Sequence, residues 1–273
     1  MQKASKTSYF MGAVIVIATV LALLTPWLLR QPEPEVSSSL PPVPDVEIHT
    51  EVPDFTNYQD VKKKKAAFFE FLLPAVHAEN LRILHQRERL LNLYQRWQQG
   101  ETLSNDDQQW LQKMAEVYEL SDETINDDLF TLLRRRIDII PEMLVLVQAA
   151  NESGWGTSRF ATEGLNFFGQ WCYKKGCGLI PSSRDDDGRH EVAKFDSVNA
   201  SIRSYMRNIN SHPAYLELRL IREEQRLDGE PVTAVKLIEG LHSYSEKGQH
   251  YIDILDDMIR VNRPIVKEIN AAP

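Results

Sequence analysis

Residues 148–169 read QAANESGWGTSRFATEGLNFFG, and one glutamate among them, Glu152, ends a long apolar run just ahead of Gly154, Trp155 and Gly156. Pro141 suits the first turn of a helix and Glu142 its positive end. The run EMLVLVQAAN is therefore expected to be a helix, apolar on nearly every face and so buried, with Gly154 and Gly156 stopping it. Glu152 then meets the negative end of the helix dipole, which disfavours another negative charge. An apolar neighbour such as Trp155 pushes the same way, because desolvation penalises the ionised form. A carboxylic acid that stays protonated is what donating a proton to a glycosidic oxygen requires. The glycines leave room for a bulky substrate. The bland alternative is an exposed helix end with no chemistry.

The elements around this glutamate fall into four stretches, 1–30, 31–56, 57–136 and 137–273. Lys3 and Lys6 precede Tyr9 to Leu29, which holds no charged residue and is long enough to span a bilayer. The run ends in Pro26, Trp27, Leu28 and Leu29 rather than in the small residues of a cleavage site. It is read as a retained signal anchor, with cleavage near Thr25 as the alternative. Lysines on the short side place the N-terminus in the cytoplasm, so everything after Arg30 is expected outside it, tethered to the membrane by this segment. Residues 31–56 are proline-rich and acidic and read as an unfolded tether.

From Asn57 to Gln99 apolar residues recur at helical spacing, with Pro74 expected to break the helix. The lysines at 62–65 are read as its solvated face, as are Arg134, Arg135 and Arg136 on a later helix. Ser104 and Ser121 suit N-caps for helices near 105–119 and 122–137. Residues 167–195 change to short aromatic and polar pieces with turn residues, a small hairpin lobe. Helical periodicity returns over 198–210, 215–226, 232–242 and 251–261. The fold class is mainly α with a small β-hairpin lobe.

A net charge of −8 over 273 residues argues against nucleic acid and anionic lipid headgroups as general partners. The two cysteines, Cys172 and Cys177, fall outside the cytoplasm on this reading and are expected to pair as a local disulfide. His190 with two cysteines is a poor zinc set; no metal and no cofactor is expected. Trp171, Tyr173 and Phe168 offer flat faces that stack on sugar rings, or else belong to the core.

The 148–169 segment resembles the signature of the family 73 glucosaminidases. The matching positions are Gln148, Ala149, Glu152, Ser153, Trp155 and Gly156, then Ser158, Ala161, Asn166, Phe168 and Gly169. The later segments GQWCYKKGCGLIP, HEVAKFDSVNASIRSYMRNINSHPAY and LHSYSEKGQHYIDIL extend the likeness, in an order similar to the Bax-type branch. The resemblance implies a lysozyme-like helical domain that hydrolyses the β-1,4 bond after N-acetylglucosamine in peptidoglycan. Carried over residue by residue, it implies Glu152 as general acid and Tyr244 as a tyrosine near the cleft, with Tyr251 following it; Trp155, Asn166, Phe168, Trp171 and Tyr251 are taken as the candidate substrate contacts. Tyr244 departs from the family pattern in its neighbours, with Ser243 where glycine is usual. For a second carboxylate the candidates are Asp185, Asp186, Asp187 and Glu191. The resemblance implies a second acidic residue in this lobe past the acid, so Glu191 is preferred over the triple aspartate beside Gly188, which reads as a solvated turn. The substrate's own N-acetyl group is the alternative, and it leaves Glu191 a positioning role. A lytic transglycosylase or muramidase, or an inactive wall-binding scaffold, are the rival functions.

Overall fold

Helix α1 (Val61–Gln98) starts where the Asp60 side chain accepts the Lys63 N–H, and it is the longest element in the computed structural model. The residues described are 40–181, 190–242, 244 and 248–271. The expected anchor, the first part of the tether, the triple aspartate and residues 243 and 245–247 lie outside them. Among the described residues no helix is long and apolar enough to cross a membrane.

Contrary to expectation, α1 runs straight through Pro74. A proline inside a helix costs about 3 kcal/mol, but Leu72, Leu73, Ala75 and Val76 around it are all buried, so packing of both flanking turns offsets the lost hydrogen bond. Helix α2 (Asn105–Val117) is capped by Ser104, as its sequence indicates. Helix α3 (Asp127–Arg136) begins later than expected, because Asn126 rather than Ser121 accepts the N–H that opens it.

Helix α4 (Glu142–Ser153) is buried from Leu144 through Ala150, which places the motif helix at the centre of the molecule. Helix α5 (Arg159–Gly164) follows. The lobe is three-stranded rather than a simple hairpin. Strand β1 (Trp171–Cys172) and strand β2 (Gly178–Leu179) both pair antiparallel with β3 (Glu191–Ala193), which lies between them. Gly178 is required there, since a Cβ on it would fall 1.9 Å from the Val192 carbonyl oxygen.

Helices α6 (Val198–Ser211), α7 (Leu216–Leu227), α8 (Ala234–Leu237) and α9 (Gln249–Ala271) complete the chain. The helix expected over 232–242 is cut to α8 and a 3-10 turn, Ile238–Gly240. Phe68, Phe69 and Leu72 of α1 share one apolar core with Leu144 of α4, Ile202 of α6 and Leu255 of α9. Residues 40–56, expected as unfolded tether, instead lie along this body. The Asn199 side chain accepts the His49 N–H and donates to the Glu47 carbonyl, each at 3.0 Å, and the Phe55 ring is buried.

Candidate active site

The last turn of α4 carries the glutamate, and the chain beyond it is turned sharply. Gly154, Trp155 and Gly156 have φ of 58°, 59° and 76° in succession. Two glycines take the left-handed region readily, whereas a tryptophan there is costly. Ser153 holds the turn by donating to the Ala149 carbonyl at 2.6 Å and accepting the Gly156 N–H at 2.8 Å. The Trp155 ring lands on α1, with its centroid 5.4 Å from those of Phe68 and Phe69 and the Lys65 Nζ 5.1 Å above it.

Glu152 Oε1 accepts the Tyr251 hydroxyl at 2.9 Å and the Asn151 amide at 3.0 Å. The Tyr251 hydroxyl accepts in turn from Gln148 Nε2 at 3.1 Å, and Gln148 Oε1 accepts the Tyr205 hydroxyl. Gln148 is fully buried, so this chain fixes the glutamate from inside the core. Tyr244 stacks nearly parallel on Tyr251 at 5.3 Å, and Phe168 stacks on Tyr205 at 3.9 Å. Burial pushes the Tyr244 and Tyr251 hydroxyls well above their ordinary range, and the charge of Glu152 adds to this. Both therefore stay protonated and able to donate.

A cleft of about 730 Å³ opens over this cluster, a size suited to a sugar chain. Glu152, Phe168, Trp171 and Tyr244 line it, as do Tyr173 and Tyr205. Trp171 and Tyr173, from the lobe, are 58% and 71% exposed, and the Trp171 ring stacks on His190 at 4.2 Å. The cleft thus joins the Glu152 carboxyl group to several aromatic faces.

Four residues singled out in the sequence do not line the cleft among its described residues. Trp155 is a buttress between the turn and α1. Tyr251 sits behind Glu152 and touches it through the hydroxyl. Buried Asn166 has every polar atom engaged, with Oδ1 accepting the Phe168 and Gln170 N–H groups and Nδ2 donating to the Gln170 and Ala193 carbonyls. It fastens the loop that presents Phe168. Glu191 faces Cys172 across the sheet, and its two oxygens accept the N–H groups of Gly176 and Gly178 at 2.9 and 2.8 Å.

Cys172 and Cys177 form the expected disulfide. Their sulfurs and the Glu191 carboxylate lie within 4.8 Å of one another, but bonded sulfurs are not thiolate ligands. Tyr205 was not singled out in the sequence, although its place in the apolar stripe Val198, Ile202, Tyr205, Ile209 with a polar tip marks a buried hydroxyl that needs a partner.

An acid at the bottom of an aromatic-walled cleft is the arrangement of a glycosidase. A family model, Glucosaminidase, described as mannosyl-glycoprotein endo-beta-N-acetylglucosaminidase, matches residues 128–263. Protein bax of Escherichia coli (strain K12) is 33% identical over 219 residues, which are 79% of this chain and 76% of that protein. No solved structure matches the chain. The chain is a glycoside hydrolase and belongs to the glucosaminidase family.

Proposed function

We propose that this enzyme, of the Bax-type branch, hydrolyses the β-1,4 bond after N-acetylglucosamine in peptidoglycan, with Glu152 protonating the leaving oxygen. The observation that carries the reading is the placement of Glu152 in the cleft with one oxygen already fixed. Oε1 receives the hydrogen bonds from Tyr251 and Asn151, and among the described residues none reaches Oε2. Oε2 is thus the oxygen that holds the transferable proton. Trp171 and Tyr173 stack on the sugar rings, whereas Phe168, buried and stacked on Tyr205, backs the cleft wall, and the lysozyme-like character of the helical body agrees with a glycan substrate.

Glu191 takes the positioning role, supported by the two backbone N–H groups on its oxygens. The substrate's own N-acetyl oxygen then closes on the anomeric carbon as the protonated leaving group departs, and water, deprotonated by Glu152, opens that intermediate. Tyr244, lining the cleft, orients the acetamido group. The body works in the periplasm, held to the inner membrane by the apolar segment at residues 9–29.

Mass spectrometry of sacculi digested by a form lacking residues 1–30 tests this. New reducing-end N-acetylglucosamine is expected, and Glu152→Gln should lose at least a thousandfold in rate with its fold intact. Anhydromuramyl products would mean a lytic transglycosylase, and an active Glu152→Gln variant would remove the acid assignment.

A further inference from the structure

Glu119 lies ahead of the 128–263 segment that matches the family, yet it lines the same cleft as Glu152. It is held there at some cost. Its φ is 60°, in the left-handed region that a non-glycine residue enters only against its own sterics. The surroundings enforce it. Arg136 donates to the Tyr118 and Glu119 carbonyls, and the buried Tyr118 ring is anchored by its hydroxyl to Gln86 at 2.9 Å. Strain that is enforced by neighbours gathers where position matters.

Arg207 lines the cleft from α6, on the helix that also supplies Tyr205. Glu119 and Arg207 are both exposed, and among the described residues neither side chain forms a salt bridge. Among the described residues the cleft therefore offers an anion that feels Arg136 and Arg219 but forms no ion pair, and a cation that forms none, beside its aromatic faces. Sugar rings are neutral and need neither charge. The peptide arms of peptidoglycan strands carry free carboxylates and an ammonium group, which need both.

Building on the peptidoglycan reading above, we propose that Glu119 and Arg207 form a subsite for the zwitterionic peptide arm of the strand. Arg207 pairs with a carboxylate and Glu119 with the ammonium. The enzyme thereby prefers strands that still carry their peptides over strands from which an amidase has removed them. This subsite is supplied in part by the turn that follows α2, ahead of the family-matched segment.

The test compares kcat/KM of the full chain on soluble peptide-bearing strands and on the same strands stripped by an amidase. Wild type should favour peptide-bearing strands about fivefold to tenfold at low salt, the size expected of partly exposed charge pairs. Raising the salt should shrink that ratio. Glu119→Gln and Arg207→Gln should each bring the ratio towards one. A wild-type ratio of one overturns the proposal, and so do variants whose rates fall equally on both substrates, which is what lost folding or lost chemistry produces. Wild type that cleaves neither substrate sinks the peptidoglycan reading and this inference together, whereas cleavage of both at equal rates sinks this inference alone.

Discussion

The Tyr251 hydroxyl sits between Gln148 and Glu152, accepting from the Gln148 amide and donating to the Glu152 carboxyl. Tyr251→Phe deletes that group and leaves the buried Gln148 amide short of a partner. A hydrogen bond to a charged group contributes about 1.5–3 kcal/mol, so kcat should fall about tenfold to a hundredfold. KM should change little; steady-state kinetics on peptidoglycan would read both, and an unaltered kcat would remove the positioning role. Glu191→Gln behaves differently on this account. An amide presents one oxygen and one donor to two N–H donors, so the lobe should lose about 1–3 kcal/mol, visible as a lower melting temperature with activity falling in parallel. A thousandfold loss of activity without thermal change would make Glu191 catalytic after all. At this scale the sequence located the helix end that carries Glu152 into the cleft, since apolar run, glutamate and glycines define it. It did not say which motif residues touch the cleft. Asn166 and Trp155 look like binding residues by type, and only their backbone partners and ring contacts, made by elements distant in sequence, reveal them as fasteners.

The lobe shows how few residues can hold an element when each bond closes the same loop. The disulfide and the Glu191 carboxylate both tie down the turn at 176–178. Losing the disulfide by Cys172→Ser with Cys177→Ser should cost about 2 kcal/mol for so short a loop. Because both ties restrain one segment, adding Glu191→Gln should cost less than the sum of the separate losses. Thermal melts of the single and combined variants would check this, and strict additivity would mean the two ties act independently. Periodicity revealed most helices to within a few residues. It failed at Pro74, where burial of both flanks outweighs the local rule, and after Ser121, where Asn126 makes the better cap. The small sheet was visible only as a change of composition, since strands of two or three residues carry no measurable alternation.

Over the whole molecule, one buried acid joins early and late helices. Asp138 receives Arg226 through both oxygens at 3.1 and 2.9 Å and faces Arg87 at 3.5 Å and Arg222 at 4.0 Å. Burial pushes its carboxyl up, but Arg222, Arg226 and Arg87 outweigh this and hold it below the ordinary range. Burial likewise pulls the Arg222 guanidinium down to about 10. A depressed carboxyl contributes fully above its unfolded pKa of about 4 and loses that contribution as pH falls through its folded value. Asp138→Asn should therefore cost about 3–5 kcal/mol at neutral pH, with the gap to wild type closing below about pH 4 in urea unfolding. A constant gap across that range would contradict the ion-pair account. The arginines at 134–136 read from sequence as a solvated face, because nothing local shows that Arg135 will meet Glu223 at 2.7 Å or that Arg136 will clamp residues 118 and 119. Phe55 makes a comparable link. A Cβ on Gly156 would strike its ring at 2.6 Å, so the ring roofs the turn that follows Glu152, and Phe55→Ala should lower stability by about 3–5 kcal/mol in chemical denaturation. The family-matched stretch is consequently no portable cassette. A chimera built from residues 128–263 alone would carry Glu152 but leave behind its ceiling, and any graft meant to keep Glu152 in place must bring Phe55 and Phe68 with it.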